Sequence, residues 1–133
     1  MTLTPVLTTF FIAGATFLLF DLTWLGYVAR DLYRKEMGAL LTENFRLAPA
    51  VAFYVIYVAA IVYFAVLPAW RSGEWSDAIV PGAVLGLVAY GTYDLTALAV
   101  VRDWPLRLSL IDMAWGTFLT ALSAGVAAYA VVR

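Results

Sequence analysis

A chain of 133 residues that is 65% hydrophobic, with a mean hydropathy of +0.91, carries more apolar surface than a soluble fold of that size hides; a small fold leaves roughly a third or more of its unfolded-chain area exposed. A net charge of −1 gives a nucleic-acid partner no electrostatic support. The absence of Cys and His excludes disulfides, thiolate and imidazole metal sites, His-ligated haem and His-dependent nucleophiles; no cofactor and no metal ligand is assigned, and carboxylate, phenol, indole and hydroxyl remain for proton handling, cation binding or carboxylate-bound Mg²⁺.

A membrane-spanning helix needs about 20 mostly apolar residues, and four stretches qualify. Span 1 is expected over 5–29; it lacks a basic n-region and runs past the length of a signal h-region, so it reads as a retained span and not a cleaved signal. In loop 1, Leu32, Tyr33, Met37, Leu40 and Leu41 share a helical face, while Arg34, Lys35, Glu36 and Glu43 lie mostly elsewhere. This predicts a short amphipathic cytoplasmic helix, resting on lipid or docking a partner. Span 2 follows over 48–70, with Pro49 and Pro68 near its ends, then the polar turn Arg71-Ser72-Gly73-Glu74. Span 3 is expected over 77–101 with Ser76 as its N-cap. Asp103-Trp104-Pro105 breaks the chain before span 4 at 106–132, with the proline at its first turn. The expected fold is an all-α integral membrane protein, one four-helix transmembrane bundle in a single domain.

Basic residues set the orientation. Arg30, Arg34, Lys35, Arg46, Arg102 and Arg107 fall in loops 1 and 3, against Arg71 and Arg133 on the other face. The positive-inside rule then places loops 1 and 3 in the cytoplasm and both termini outside. Trp70 and Trp75 mark the outer interface, Trp104 the inner one.

The tripeptide Asp-Leu-Thr occurs twice, at Asp21-Leu22-Thr23 and Asp94-Leu95-Thr96, each inside a span. Arg30-Asp31 and Arg102-Asp103 follow the two copies, and Phe45-Arg46-Leu47 and Leu106-Arg107-Leu108 open the next spans. Two readings stand: two hairpins related as a parallel repeat about an axis along the membrane normal, or coincidence in a Leu-rich chain.

An acid inside a span is costly and marks a functional site by default. At a rise of 1.5 Å per residue, Asp21 lies about 13 Å and Asp94 about 12 Å from the cytoplasmic edge, and Asp112 about 7 to 8 Å. Tyr54 reaches the depth of the first two from span 2, with Tyr57 one turn deeper. Gly14, Leu18, Asp21, Trp24, Leu25 and Val28 form one stripe of span 1; Gly82, Gly86, Tyr90 and Asp94 form a row in span 3; Asp112, Trp115, Gly116, Leu119 and Ser123 line up in span 4. Small residues allow close helix approach, so these faces point into the bundle. The candidate ligand-binding residues are therefore Asp21, Asp94, Asp112, Tyr54, Tyr57, Trp24, Trp115 and Tyr90. The competing reading makes the acids helix-to-helix staples that accept hydrogen bonds from Trp24, Trp115, Thr23, Thr96 or Tyr54, with Asp112 near an interface and close to Arg107.

The run from Asp94-Leu95-Thr96 to Asp112-Met113-Ala114-Trp115-Gly116, with Asp103-Trp104-Pro105 inside it and Asp21-Leu22-Thr23-Trp24-Leu25-Gly26 upstream, resembles a bacterial family of small predicted membrane proteins, domain of unknown function 2177. The resemblance covers essentially the whole chain. It implies a four-span protein of the bacterial inner membrane and carries over no catalytic residue.

Three functions fit these residues. The first is a membrane protein that binds or transports a small cationic, protonatable or lipid-like ligand at the Asp/Tyr layer, as a homo-oligomer in the lipid bilayer. The second is an accessory or assembly subunit of a larger membrane complex. The third is a membrane-lipid-modifying enzyme, for which no phosphate loop, familiar metal motif or nucleophile-base pair is present.

Overall fold

The spans follow from the solvent: in hydrocarbon, backbone N–H and C=O groups must pair within the segment, so apolar runs of this length become helices. The computed structural model describes residues 1–41 and 45–132 and contains four such helices, each 26 residues long, at Leu3–Val28, Leu47–Ser72, Trp75–Val100 and Leu106–Val131. The α-helical segments are α1 (Leu3–Thr23), α3 (Leu47–Ile61), α4 (Leu67–Ser72), α5 (Ile79–Val100) and α6 (Leu106–Val131) within the spans, and α2 (Arg30–Met37) in the loop between the first two. Among the described residues there is no strand, and the protein is an all-α, multi-pass membrane protein.

Two spans contain a π turn. Val62–Val66 joins α3 to α4 just before Pro68. A proline has no N–H and crowds the carbonyl four residues back, and a wider turn relieves both. Trp24–Val28 ends the first span one turn after Asp21. Ser76 does not cap α5. A 3₁₀ turn at Trp75–Ala78 precedes that helix, and the Ser76 hydroxyl donates to Glu74 Oε1 at 3.2 Å inside the turn. Asp103 takes φ +59° in the last loop, a left-handed conformation that Asp tolerates better than most side chains.

The helices run up-down-up-down. α1 packs on α3 and α6, and α6 on α5, the most extensive contact. That contact is made by small residues. Gly82 and Gly86 are buried on α5, and a Cβ at Gly82 would lie 2.9 Å from Ala124 Cβ. With lipid as apolar as the helices, close backbone approach and van der Waals contact hold such a pair together. The fourth side of the ring is incomplete. The second span reaches α5 through Val62–Val66, whereas α3 scarcely touches it and meets it through an edge contact between the Tyr57 and Tyr90 rings, 6.2 Å apart. The bundle is therefore closed at one end and parted between α3 and α5 at the end that carries α2.

Most polar groups inside the spans are satisfied locally. The hydroxyls of Thr9, Thr16, Thr23, Thr92, Thr96, Thr117 and Ser123 all donate to carbonyls of their own helix. Thr23 and Thr96 are thus turned away from the aspartates that precede them in each Asp-Leu-Thr.

Candidate functional site, an acid cavity beneath α2

Asp21, Asp94 and Asp112 line one cavity of about 160 Å³ with Tyr33, Tyr90, Tyr93, Trp104, Leu25, Met37 and Leu108. Three helices deliver the acids. Asp21 ends the buried row Thr9, Ala13, Phe17 on α1, Asp94 ends the row Gly82, Gly86, Tyr90 on α5, and Asp112 lies near the start of α6. The row on α1 is narrower than the stripe expected from sequence: Leu18, Leu25 and Val28 are 44%, 41% and 66% exposed. Leu18 lies on the neighbouring row, and past Trp24 the π turn rotates the face, since one residue in a helix turns it by about 100°.

Asp21 is fully engaged. It accepts from the Tyr54 hydroxyl and from Trp115 Nε1 at 3.2 Å. Trp115 stacks on Trp24, with ring centroids 4.5 Å apart and planes 9° apart. On the other side of that stack, Trp24 Nε1 makes a long contact to the Tyr33 hydroxyl at 3.5 Å, and Tyr33 donates to Asp112 Oδ1 at 2.6 Å. The indole pair therefore joins two carboxylate networks.

Asp94 has no donor. It is 2% exposed, and among the described residues its Oδ2 makes no hydrogen bond. The group within reach is the Asp112 carboxyl, which is itself an acceptor unless a proton lies between the two. Among the described residues no Lys or Arg lines the cavity. A buried carboxyl in that position needs a positive partner or a proton.

The other expected residues divide. Tyr54, Trp24 and Trp115 join the networks, and Tyr90 lines the cavity while packing against Gly116. Tyr57 does not reach the acids; its hydroxyl pairs with Thr120 Oγ1 at 2.7 Å one turn deeper, between α3 and α6. Sequence reasoning missed Tyr33, Tyr93 and Trp104 as part of the site. For Tyr33 there was a signal, a phenol on the apolar face of a basic helix. On α2, Leu32, Tyr33, Glu36 and Met37 are half-buried and Tyr33 and Met37 line the cavity, so the helix lies over it and not simply on lipid, whereas Leu40 and Leu41 beyond its end are exposed; Glu43 lies outside the described residues. Burial, with the Asp112 charge and hydrogen bond adding to it, pushes the Tyr33 phenol above its ordinary range, so it stays a neutral donor.

A hydrogen bond to a charged group contributes about 1.5 to 3 kcal/mol. Replacing Tyr33→Phe is accordingly expected to speed amide exchange within α2 by about tenfold or more while exchange in α5 and α6 is unchanged. Hydrogen-exchange mass spectrometry reads this, and unaltered exchange in α2 would show that the Tyr33–Asp112 bond does not hold the helix down.

A protein-family model described as "Predicted membrane protein (DUF2177)" matches residues 6–129. No curated protein and no solved structure was found to be similar.

Proposed function

For this chain, which belongs to that family of predicted membrane proteins, we propose binding or transport of a small ligand whose cationic or protonatable group seats between Asp94 and Asp112. The observation that supports the reading is Asp94: a buried carboxyl whose Oδ2 has no donor, facing a second carboxyl, in a cavity with no basic residue among the described ones. Every other acid of the cavity has a phenol or indole on it. A cation supplies the missing donor and the missing charge together.

An organic ammonium group fits better than a metal ion. Among the described residues, no three acids converge closely enough to hold a metal, and Asp21 already spends both oxygens on Tyr54 and Trp115. The size also discriminates. A cavity of about 160 Å³ is comparable to the engineered cavity of ~150 Å³ that accepts benzene, which suits a head group and is below the ~300 Å³ at which whole drug-sized ligands begin to fit. Arg30, Arg34, Lys35, Arg46, Arg102 and Arg107 are exposed at the same end of the bundle. By the positive-inside rule the cavity then lies in the cytoplasmic half of a bacterial inner membrane.

Titration calorimetry with propylammonium chloride tests this on the purified protein. The wild type is expected to bind saturably, and Asp94→Asn at least about tenfold more weakly, because truncating one partner of a buried charge pair costs 2 to 5 kcal/mol. Equal affinity of the folded variant and the wild type would rule the reading out.

A further inference from the structure

The acid cavity, at about 160 Å³, is below the ~300 Å³ of sites for drug-sized ligands, and it adjoins a larger space. A groove of about 570 Å³ between α3 and α5 is lined by Phe53, Ala89, Tyr90, Thr92, Tyr93, Thr96 and Asp112. It shares Tyr90, Tyr93 and Asp112 with the acid cavity. Its volume falls within the ~300 to 1,000 Å³ of typical ligand sites. It lies at the place where α3 parts from α5, and its walls at Phe53 and Tyr93 are 46% and 58% exposed on the bundle surface that faces hydrocarbon.

Resting on the ammonium reading above, we infer that the ligand is an amphiphile, a long-chain amine or an amine-headed lipid, that enters sideways from the bilayer between α3 and α5. The head group lies against Asp94 and Asp112, and the chain lies in the groove along Phe53 and Thr92. The charge arrangement selects the head: Asp94 and Asp112, with no base among the described residues of the cavity, oppose an anionic or carboxylate head and favour a cationic one. The groove selects the tail. Its wall is aromatic and aliphatic, and the Thr92 hydroxyl, its Oγ1 2.6 Å from Val88 O, is spent on its own helix; Thr96 is likewise bonded within α5. A soluble cation has no use for such a wall, whereas an acyl or alkyl chain finds there the same solvent it leaves.

The test uses the whole protein in dodecyl maltoside micelles. The probe is a dodecylamine analogue with a diazirine midway along its chain, compared with the corresponding alcohol. After photolysis, peptides of α3 and α5 containing Phe53, Thr92 and Thr96 are expected to carry the amine at least about tenfold more than the alcohol, as loss of a buried charge partner implies. Asp94→Asn, which removes the anchor, and Thr92→Trp, which fills the groove, should each lower that labelling to the level of the alcohol, with folding checked by circular dichroism. If propylammonium binds the wild type but the amine labels the groove no more than the alcohol does, lateral entry is overturned and the ammonium site stands. If neither amine binds, both readings fall together.

Discussion

Gly86→Leu is expected to break the contact between α5 and α6, with a loss of about 3 kcal/mol or more, the upper end of what overpacking costs. A Cβ placed on Gly86 would lie 2.9 Å from the carbonyl carbon of Gly116 and 2.9 Å from Thr117 Cα. These are backbone atoms of the facing helix, so no side-chain rotation makes room and the two helices must separate. Gly116 is also closed by the Tyr90 ring, one turn along α5 from Gly86, so the shift would also displace a wall of the acid cavity. Gly26 is the control, because nothing lies within 4 Å of a Cβ there. Unfolding in mixed micelles, titrated with dodecyl sulfate, should show Gly86→Leu unfolding far earlier than wild type and Gly26→Ala close to it. Similar midpoints for all three would mean that α5 and α6 are not held by this close approach.

The second large effect is a difference in sign. Asp21→Asn is expected to destabilise the bundle by about 1 to 3 kcal/mol, since the amide turns an N–H toward one of two donors and leaves a buried group unsatisfied. Asp94→Asn is expected to stabilise it by about 1 kcal/mol or more. The new amide brings a donor where Asp94 Oδ2 has none, beside an acceptor, Asp112. A residue that lowers stability and is nonetheless present fits the general cost of a binding site. The same titration reads both variants. Were Asp94→Asn to lose as much stability as Asp21→Asn, Asp94 would be a staple between helices and not an empty acceptor.

This difference was hidden in the sequence by its own regularity. Asp21-Leu22-Thr23 and Asp94-Leu95-Thr96 read as equivalent, and the alignment that pairs Arg46 with Arg107 also pairs Tyr54 with Trp115. A strict two-fold repeat would give each aspartate one tyrosine and one tryptophan. Instead Asp21 takes both Tyr54 and Trp115, and Asp94 neither. The reason is the parting of α3 from α5, which carries Tyr54 away from Asp94. Nothing in the sequence announces that gap, because a helix face against lipid and one against another helix are both apolar.

What was legible rested on strong physics. Hydropathy over about 20 residues gave the four spans, and the rise per residue put Tyr54 at the depth of Asp21, where the two hydrogen-bond. The row Gly82, Gly86, Tyr90, Asp94 runs down α5 at a spacing of four, the signature of one helix face. The misses belong to tertiary structure. The amphipathic pattern of loop 1 predicts a helix but not the surface it lies on, lipid or partner, and so does not place Tyr33 over Asp112, to which it donates. The π turn at Trp24–Val28, which re-aims the end of the first span, leaves no mark in a pattern read with a period of 3.6.

The most direct measurement of the central claim is an infrared difference spectrum of the protein labelled with [¹³C]aspartate, taken on adding propylammonium. Seating an ammonium group between Asp94 and Asp112 must change the carboxyl bands of that pair, so a labelled difference signal is predicted for the wild type and its loss for Asp94→Asn. A spectrum in which propylammonium leaves the aspartate bands unchanged, or changes them equally in Asp94→Asn, would contradict the account.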